Sequence, residues 1–175
     1  MVDIETHHVE IDPAEDDNAD VRACMAAWHD LRGNQLYPAW ADFDWLVLPT
    51  SILPYMVVVD VSGDGSDFRF RYWGSAHTEV FHEDYTHKTV SQIQPPDVAQ
   101  GLLGQYRRVL EVSAPCLFVF EVLGGANRDF PVRETSLRMP FAGKTETIDH
   151  IVSLSDNRRQ AADFAEFFAA NRRGA

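Results

Sequence analysis

Residues 55–73 read Tyr55-Met-Val-Val-Val-Asp-Val61, then Ser62-Gly-Asp-Gly-Ser-Asp67, then Phe68-Arg-Phe-Arg-Tyr-Trp73. The first run is β-branched, the last alternates strictly, and a Gly- and Asp-rich turn joins them, so the stretch predicts a β-hairpin. Downstream, Gly74 ends the second strand and Ser75 can cap a short helix through about Phe81. A loop, His82-Glu-Asp-Tyr-Thr-His-Lys88, leads to Val90–Ile93. Pro95 and Pro96 then open a longer helix, roughly Asp97 to Val112, with Leu102, Leu103, Tyr106, Val109 and Leu110 inward. Three further strands are predicted at Cys116–Leu123, Val132–Phe141 and Ile148–Leu154. Their connections, Gly124–Asp129 and Ala142–Thr145, suit antiparallel hairpins.

Upstream, Val21, Cys24, Met25, Trp28 and Leu31 fall at helical spacing between Asp20 and Gly33. Residues 34–54 carry Pro38, Pro49 and Pro54 among Trp40, Phe43 and Trp45, an ordered connector packed on a core. A final helix from about Arg159 to Arg172 sets Phe164, Phe167 and Phe168 on one side. The order is helix, two strands, helices, three strands, helix, which predicts an α+β fold with an antiparallel sheet. The chain therefore divides into an acidic flexible lead-in (1–19), an N-terminal helix with its connector (20–54), a core (55–155) and a C-terminal helix (156–175).

Composition sets the outer bounds. The chain has 175 residues, 45% hydrophobic and 24% charged, as expected of one folded domain. Its formal net charge of −12 disfavours a phosphate backbone or an anionic membrane surface as a partner. Residues 1–20 hold eight acids and no Lys or Arg, which predicts a solvated segment and argues against a secretory signal. No run approaches 18 uncharged apolar residues, so a cytoplasmic location is expected. Cys24 and Cys116 sit in apolar sequence and read as reduced core thiols.

Several motifs fail on their spacing. Gly143-Lys144-Thr145 needs a glycine five positions earlier to cradle phosphate, and Arg138 stands there. Asp60-Val-Ser-Gly-Asp-Gly65 opens like a calcium loop, but the twelfth position, which should be a glutamate, is Arg71. His77, His82 and His87 recur every five residues, which turns them off a common helix face. No nucleophile elbow is present. Asp60, Glu121 and Glu134 are the strand acids that could serve as a buried acid or base. Phe68, Phe70, Tyr72, Phe81, Tyr106, Phe118, Phe120 and Phe141 are core residues some of which could line a cavity.

The organisation resembles a PAS domain, of a bacterial subgroup of short PAS-only proteins. The resemblance rests on Trp28-His-Asp-Leu-Arg-Gly33 before a proline connector, and on Leu53-Pro54 leading into the first strand. It continues through Phe68-Arg-Phe-Arg-Tyr-Trp-Gly-Ser75, Asp84-Tyr-Thr-His-Lys88 and Glu134-Thr-Ser-Leu-Arg-Met-Pro140, and so covers residues 20–155. His82 and His87 depart from it, since glycine is common at both places. The resemblance implies a five-stranded antiparallel sheet with short helices on one face, enclosing a small cavity, and flanking helices that commonly dimerise.

The function this resemblance implies is that of a non-enzymatic module for signal transduction through ligand binding or protein–protein interaction. The flavin-binding branch needs a cysteine within residues 75–112, and the heme branch usually takes a histidine from residues 97–112. Neither is there, so no heme or flavin is expected, and any ligand would be small and colourless. The expected ligand-binding residues are Tyr72, His77, Phe81, Tyr106 and Met139, with Arg71 or Arg138 meeting an anionic group. No catalytic residue and no metal site are assigned. The expected homodimer or partner interface uses Val21, Met25 and Trp28 of the first helix and Phe164, Phe167 and Phe168 of the last. Two rivals remain: a cone-shaped α+β isomerase or dehydratase using a buried carboxylate, and a pocketless interaction scaffold.

Overall fold

A computed structural model describes residues 5–123 and 132–172. The turn expected at Gly124–Asp129 lies outside the described residues. The elements, in chain order, are β1 (Glu5–Ile11), α1 (Ala19–Arg32), β2 (Met56–Val61), β3 (Phe68–Trp73), α2 (Ser75–Phe81), α3 (Pro96–Val112), β4 (Cys116–Leu123), β5 (Val132–Ala142), β6 (Ile148–Asp156) and α4 (Ala161–Arg172). The strands form one six-stranded antiparallel sheet in the order β1-β4-β5-β6-β2-β3. The fold is α+β as the pattern predicts, with six strands where five were expected.

The sixth strand comes from the acidic lead-in. Residues 5–11 pair with β4 from Glu5↔Leu123 to Ile11↔Leu117. Two of its side chains meet polar partners on α3: His8 bonds Gln105, and Glu10 accepts from Arg108 Nε at 2.8 Å. A strand whose inward residues are polar because their partners are polar lacks the apolar alternation by which strands are read.

Both faces of the sheet are covered, not one. α1 and the connector cover the first: Val21, Cys24, Trp28, Leu48 and Ile52 pack on Met56, Val58, Leu137, Met139, Phe141, Val152 and Leu154. Trp28 Nε1 donates to the Pro140 carbonyl at 2.8 Å, pinning the helix to the central strand. Asn18 caps α1 through the Asp20 amide, and Arg158 ties Asp20 to Asp156 at 2.6 Å each. On the second face α2, α3 and α4 lie over Val57, Val59, Phe68, Phe70, Phe118, Phe120 and Ile151.

This arrangement corrects the expected interface. Val21 and Trp28 are buried on the chain's own sheet, and Met25 is half-buried against the same cluster. Phe164, Phe167 and Phe168 are 1%, 4% and 2% exposed, with Phe168 stacked on Phe81 of α2 at 4.0 Å between ring centres. Burying each such aromatic side chain contributes roughly 2 kcal/mol. The apolar faces of both terminal helices are thus satisfied within one chain.

His82 and His87 take positive φ, 55° and 69°. The two turns therefore keep the left-handed backbone that glycine supplies freely and that other residues adopt at a cost of about 1 kcal/mol. The ring of His82 bonds the Ala165 carbonyl at 2.9 Å, whereas His87 serves mainly through its backbone, bridging to Phe70 and to Arg69 Nε. His87→Gly is expected to raise stability by about 0.5–1 kcal/mol in urea unfolding. An unchanged or lower midpoint would contradict the strain at this turn.

Candidate functional site

The centre of the second face is polar. On β5, Glu134, Ser136 and Arg138 alternate toward the helices, and on β6 Ser153 and Ser155 face the same way, opposite Arg138 and Ser136. All five are buried. Buried polar groups persist where they bond one another, and here they do. Ser136 Oγ donates to Glu134 Oε1 at 2.9 Å and lies 3.0 Å from Ser155 Oγ, while Asn157 Nδ2 reaches Glu134 Oε2 at 3.5 Å.

Arg138 anchors the other half. Its guanidinium is 1% exposed, donates from Nε to Gln105 Oε1 at 2.8 Å and from Nη1 to Ser153 Oγ at 3.0 Å, and lies 4.1 Å over the Tyr106 ring. Arginine is only a donor, so Gln105 must present its oxygen to it and turn its amide nitrogen toward His8 Nδ1. His8 Nδ1 is therefore the acceptor, and the ring is the neutral tautomer with its proton on Nε2. Burial, then the Arg138 charge, lowers the His8 pKa to about 4.

A cavity of about 20 Å³, room for about one water, opens between these groups. Its walls include Glu134, Arg138, Ser155, His77, Tyr106 and Trp73, with Val57, Phe70, Phe81 and Leu102 closing it. His77 Nε2 donates to the Tyr55 carbonyl at 3.0 Å, and burial lowers its pKa to about 4, so the ring is neutral. Burial likewise pushes the Glu134 carboxyl above the ordinary carboxylate range, against the pull of Ser136, Arg138 and Asn157. Trp73 Nε1 is buried with no hydrogen-bond partner among the described residues.

Four of the seven expected ligand-binding residues meet here: His77, Phe81, Tyr106 and Arg138. Arg71, Tyr72 and Met139 do not. A β-bulge skips Arg71, so that Val58 pairs with Tyr72 and Val59 with Phe70. Arg71 is left exposed and bonds Asp60 Oδ1 at 2.7 Å, while Tyr72 turns to the opposite face, where it packs on Trp45 and donates to the Leu53 carbonyl. Trp73 takes the inward place instead. Met139 follows Arg138 on one strand, and adjacent strand residues point to opposite faces, so it lies under α1 with Phe141.

The sequence pattern did not assign Trp73, Gln105, Ser153 and Ser155 to this site, and it offered Glu134 only as one of three strand acids for the rival buried-acid reading. Its trace was visible as polar residues at every second place, 134-136-138 and 153-155, in strands otherwise apolar. The remaining acids lie elsewhere: Asp60 pairs Arg71 and His150 on the other face, and Glu121 sits 3.7 Å from Arg133 Nε. Among the described residues no group of three His, Cys, Asp or Glu could hold a metal ion. No helix among them is long and apolar enough to cross a membrane. An open groove of about 970 Å³ near Asn18 is lined by Arg133 and Arg158 among other charges, of which Arg158 pairs with Asp156 and Asp20 and Arg133 lies near Glu121.

No family model matches the chain, and no curated protein or solved structure is significantly similar to it.

Gly101 of α3 faces His8: a Cβ there would lie 2.1 Å from His8 Nε2. Gly104, one turn on, has open space around it. Alanine favours a helix interior over glycine by about 1 kcal/mol, so Gly104→Ala should stabilise by that much. Gly101→Ala should do the reverse, lowering stability by about 1–3 kcal/mol and speeding amide exchange in residues 5–11, because it expels His8 from Gln105. Equal stabilisation by both substitutions would contradict the docking of β1 through His8.

Proposed function

We propose that this protein is a non-enzymatic sensory and interaction module of the PAS type, binding a small ligand beneath α2 and α3. The observation that carries the reading is Arg138: a fully buried guanidinium at the wall of a cavity, in a core that apolar residues could fill. Buried charges add little net stability, so their retention points to recognition or specificity. The five strands within residues 56–156, with helices over the face that holds the cavity, accord with what the resemblance implies. The cytoplasmic location and a protein partner belong to the same proposal.

Output runs through α4. Phe81 is both a wall of the cavity and the stacking partner of Phe168. A ligand that displaces Phe81 therefore disturbs the seat of α4 and alters what that helix presents to a partner. No new contact is required, only a shift between two packings.

One observation favours a second reading, the buried-acid isomerase or dehydratase. Glu134, with its raised pKa, shares the cavity with His77. Against it, His77 spends Nε2 on a backbone carbonyl and Glu134 is held by Ser136 and Asn157.

Native mass spectrometry tests the proposal. Tyr106 is packed under Arg138 and leaves no room, so the position to fill is Leu102, the one wall residue that is not buried. The wild-type protein should carry a discrete bound mass that Leu102→Trp loses while its circular dichroism is unchanged. Bare protein from every preparation overturns ligand sensing and leaves the pocketless scaffold. Glu134→Gln decides the second reading: release of the same compound as from wild type supports binding, and release of a different one supports catalysis.

A further inference from the structure

The cavity's walls carry a chemical preference. None of the ion pairs among the described residues involves Arg138. Its hydrogen-bond acceptors, Gln105 Oε1 and Ser153 Oγ, are neutral, and so is the Tyr106 ring beneath it. Trp73, another residue of the wall, buries its indole N–H with no acceptor among the described residues. An unpaired buried donor costs as much as a lost hydrogen bond, and native proteins seldom keep one without a use. Among the described residues Arg138 thus lacks an ion-pair partner and the Trp73 indole lacks a hydrogen-bond acceptor.

One group supplies both. We infer that the ligand is a small organic acid whose carboxylate is received by Arg138 and by the Trp73 indole N–H. This rests on the sensory reading above and names the ligand class for that site. Planar carboxylates match the guanidinium fork, and the indole adds a donor with no competing acceptor. Beside the polar Glu134, Ser155 and His77 the wall carries Val57, Phe70, Phe81 and Leu102, an apolar side that suits a short hydrocarbon body. A cavity of about 20 Å³ holds about one water, so even the smallest acid enters only as Phe81 or Leu102 swings aside, and the body is limited to a few carbons. Glu134, the acid on the same wall, makes no ion pair with Arg138 among the described residues and is bonded instead to Ser136 and Asn157.

The test is a 1H–15N spectrum of the indole groups of the full chain, titrated with acetate, propionate and butyrate against chloride at equal ionic strength. Trp73→Phe assigns the signal. The Trp73 indole proton should move downfield and saturate with at least one acid, while that of Trp28, already bonded to the Pro140 carbonyl, stays put. Calorimetry with the same acid should show Trp73→Phe weakening binding about tenfold, the loss expected for one hydrogen bond to a charged acceptor. Because Arg138→Gln could unfold the core, Trp73→Phe, which keeps an aromatic ring, is the deciding variant. Saturable binding with equal affinity in Trp73→Phe overturns the inference.

A response to none of the acids is judged together with the native mass spectrum. A co-purified neutral or cationic compound then overturns the inference and spares the sensory reading. A co-purified larger carboxylate that moves the Trp73 signal supports both. Bare protein with no response overturns both.

Discussion

A guanidinium shut inside the core constrains everything around it. A guanidinium offers only N–H donors, so each neighbour of Arg138 must turn an acceptor or a π face toward it. Gln105 and Ser153 provide oxygens and Tyr106 provides its ring. The requirement propagates: Gln105, committed through its oxygen, offers its amide to His8, and His8 fixes β1 against α3. A single charge thereby couples the edge strand, the central strands and the long helix. Leaving a buried charge without its partners would cost several kcal/mol, so the set stands or falls together.

The two faces of the sheet divide the work. The face under α1 is apolar and closed by close packing, with Trp28 pinning the helix to Pro140. The opposite face mixes aromatic walls with a line of polar groups and retains a small cavity. That cavity is roofed by α2, which in turn is packed by α4 through Phe81 and Phe168. A change in the cavity and a change in α4 are therefore parts of one packing problem. Interiors this dense respond by switching between arrangements, not by continuous give.

Much of the architecture was legible in the sequence because periodicity reports which side of an element is buried. The hairpin of β2 and β3, the long helix opened by Pro95-Pro96 and the last three strands all carry that signal. β1 does not, since His8 and Glu10 face polar partners on α3 and its apolar residues, Val9 and Ile11, give no inward stripe. The site was half legible for a related reason. Strict alternation over Phe68-Arg-Phe-Arg-Tyr-Trp73 pairs Tyr72 with the phenylalanines, and a bulge at Arg71 moves Trp73 into that role. Bulges depend on the partner strand and leave little trace in local pattern. Naming Arg138 together with Met139 conflicts with parity, because neighbours on a strand cannot share a face. The terminal-helix aromatics, expected at a dimer or partner interface, are buried by their own chain.

The fold's polar core depends most on the chain of hydrogen bonds that Arg138 imposes, and the far end of that chain is open to direct measurement. Nitrogen-15 NMR of the His8 ring distinguishes its two neutral tautomers and its cation. The predicted result is a neutral ring with the proton on Nε2 and Nδ1 as acceptor, staying unprotonated as the pH falls well below 6.5 toward about 4. Above the unfolded pKa this arrangement stabilises the fold fully, and that stability is lost as the pH falls through the lowered folded value. A proton on Nδ1, or titration at the ordinary histidine pKa, would contradict the coupling of Arg138 to β1.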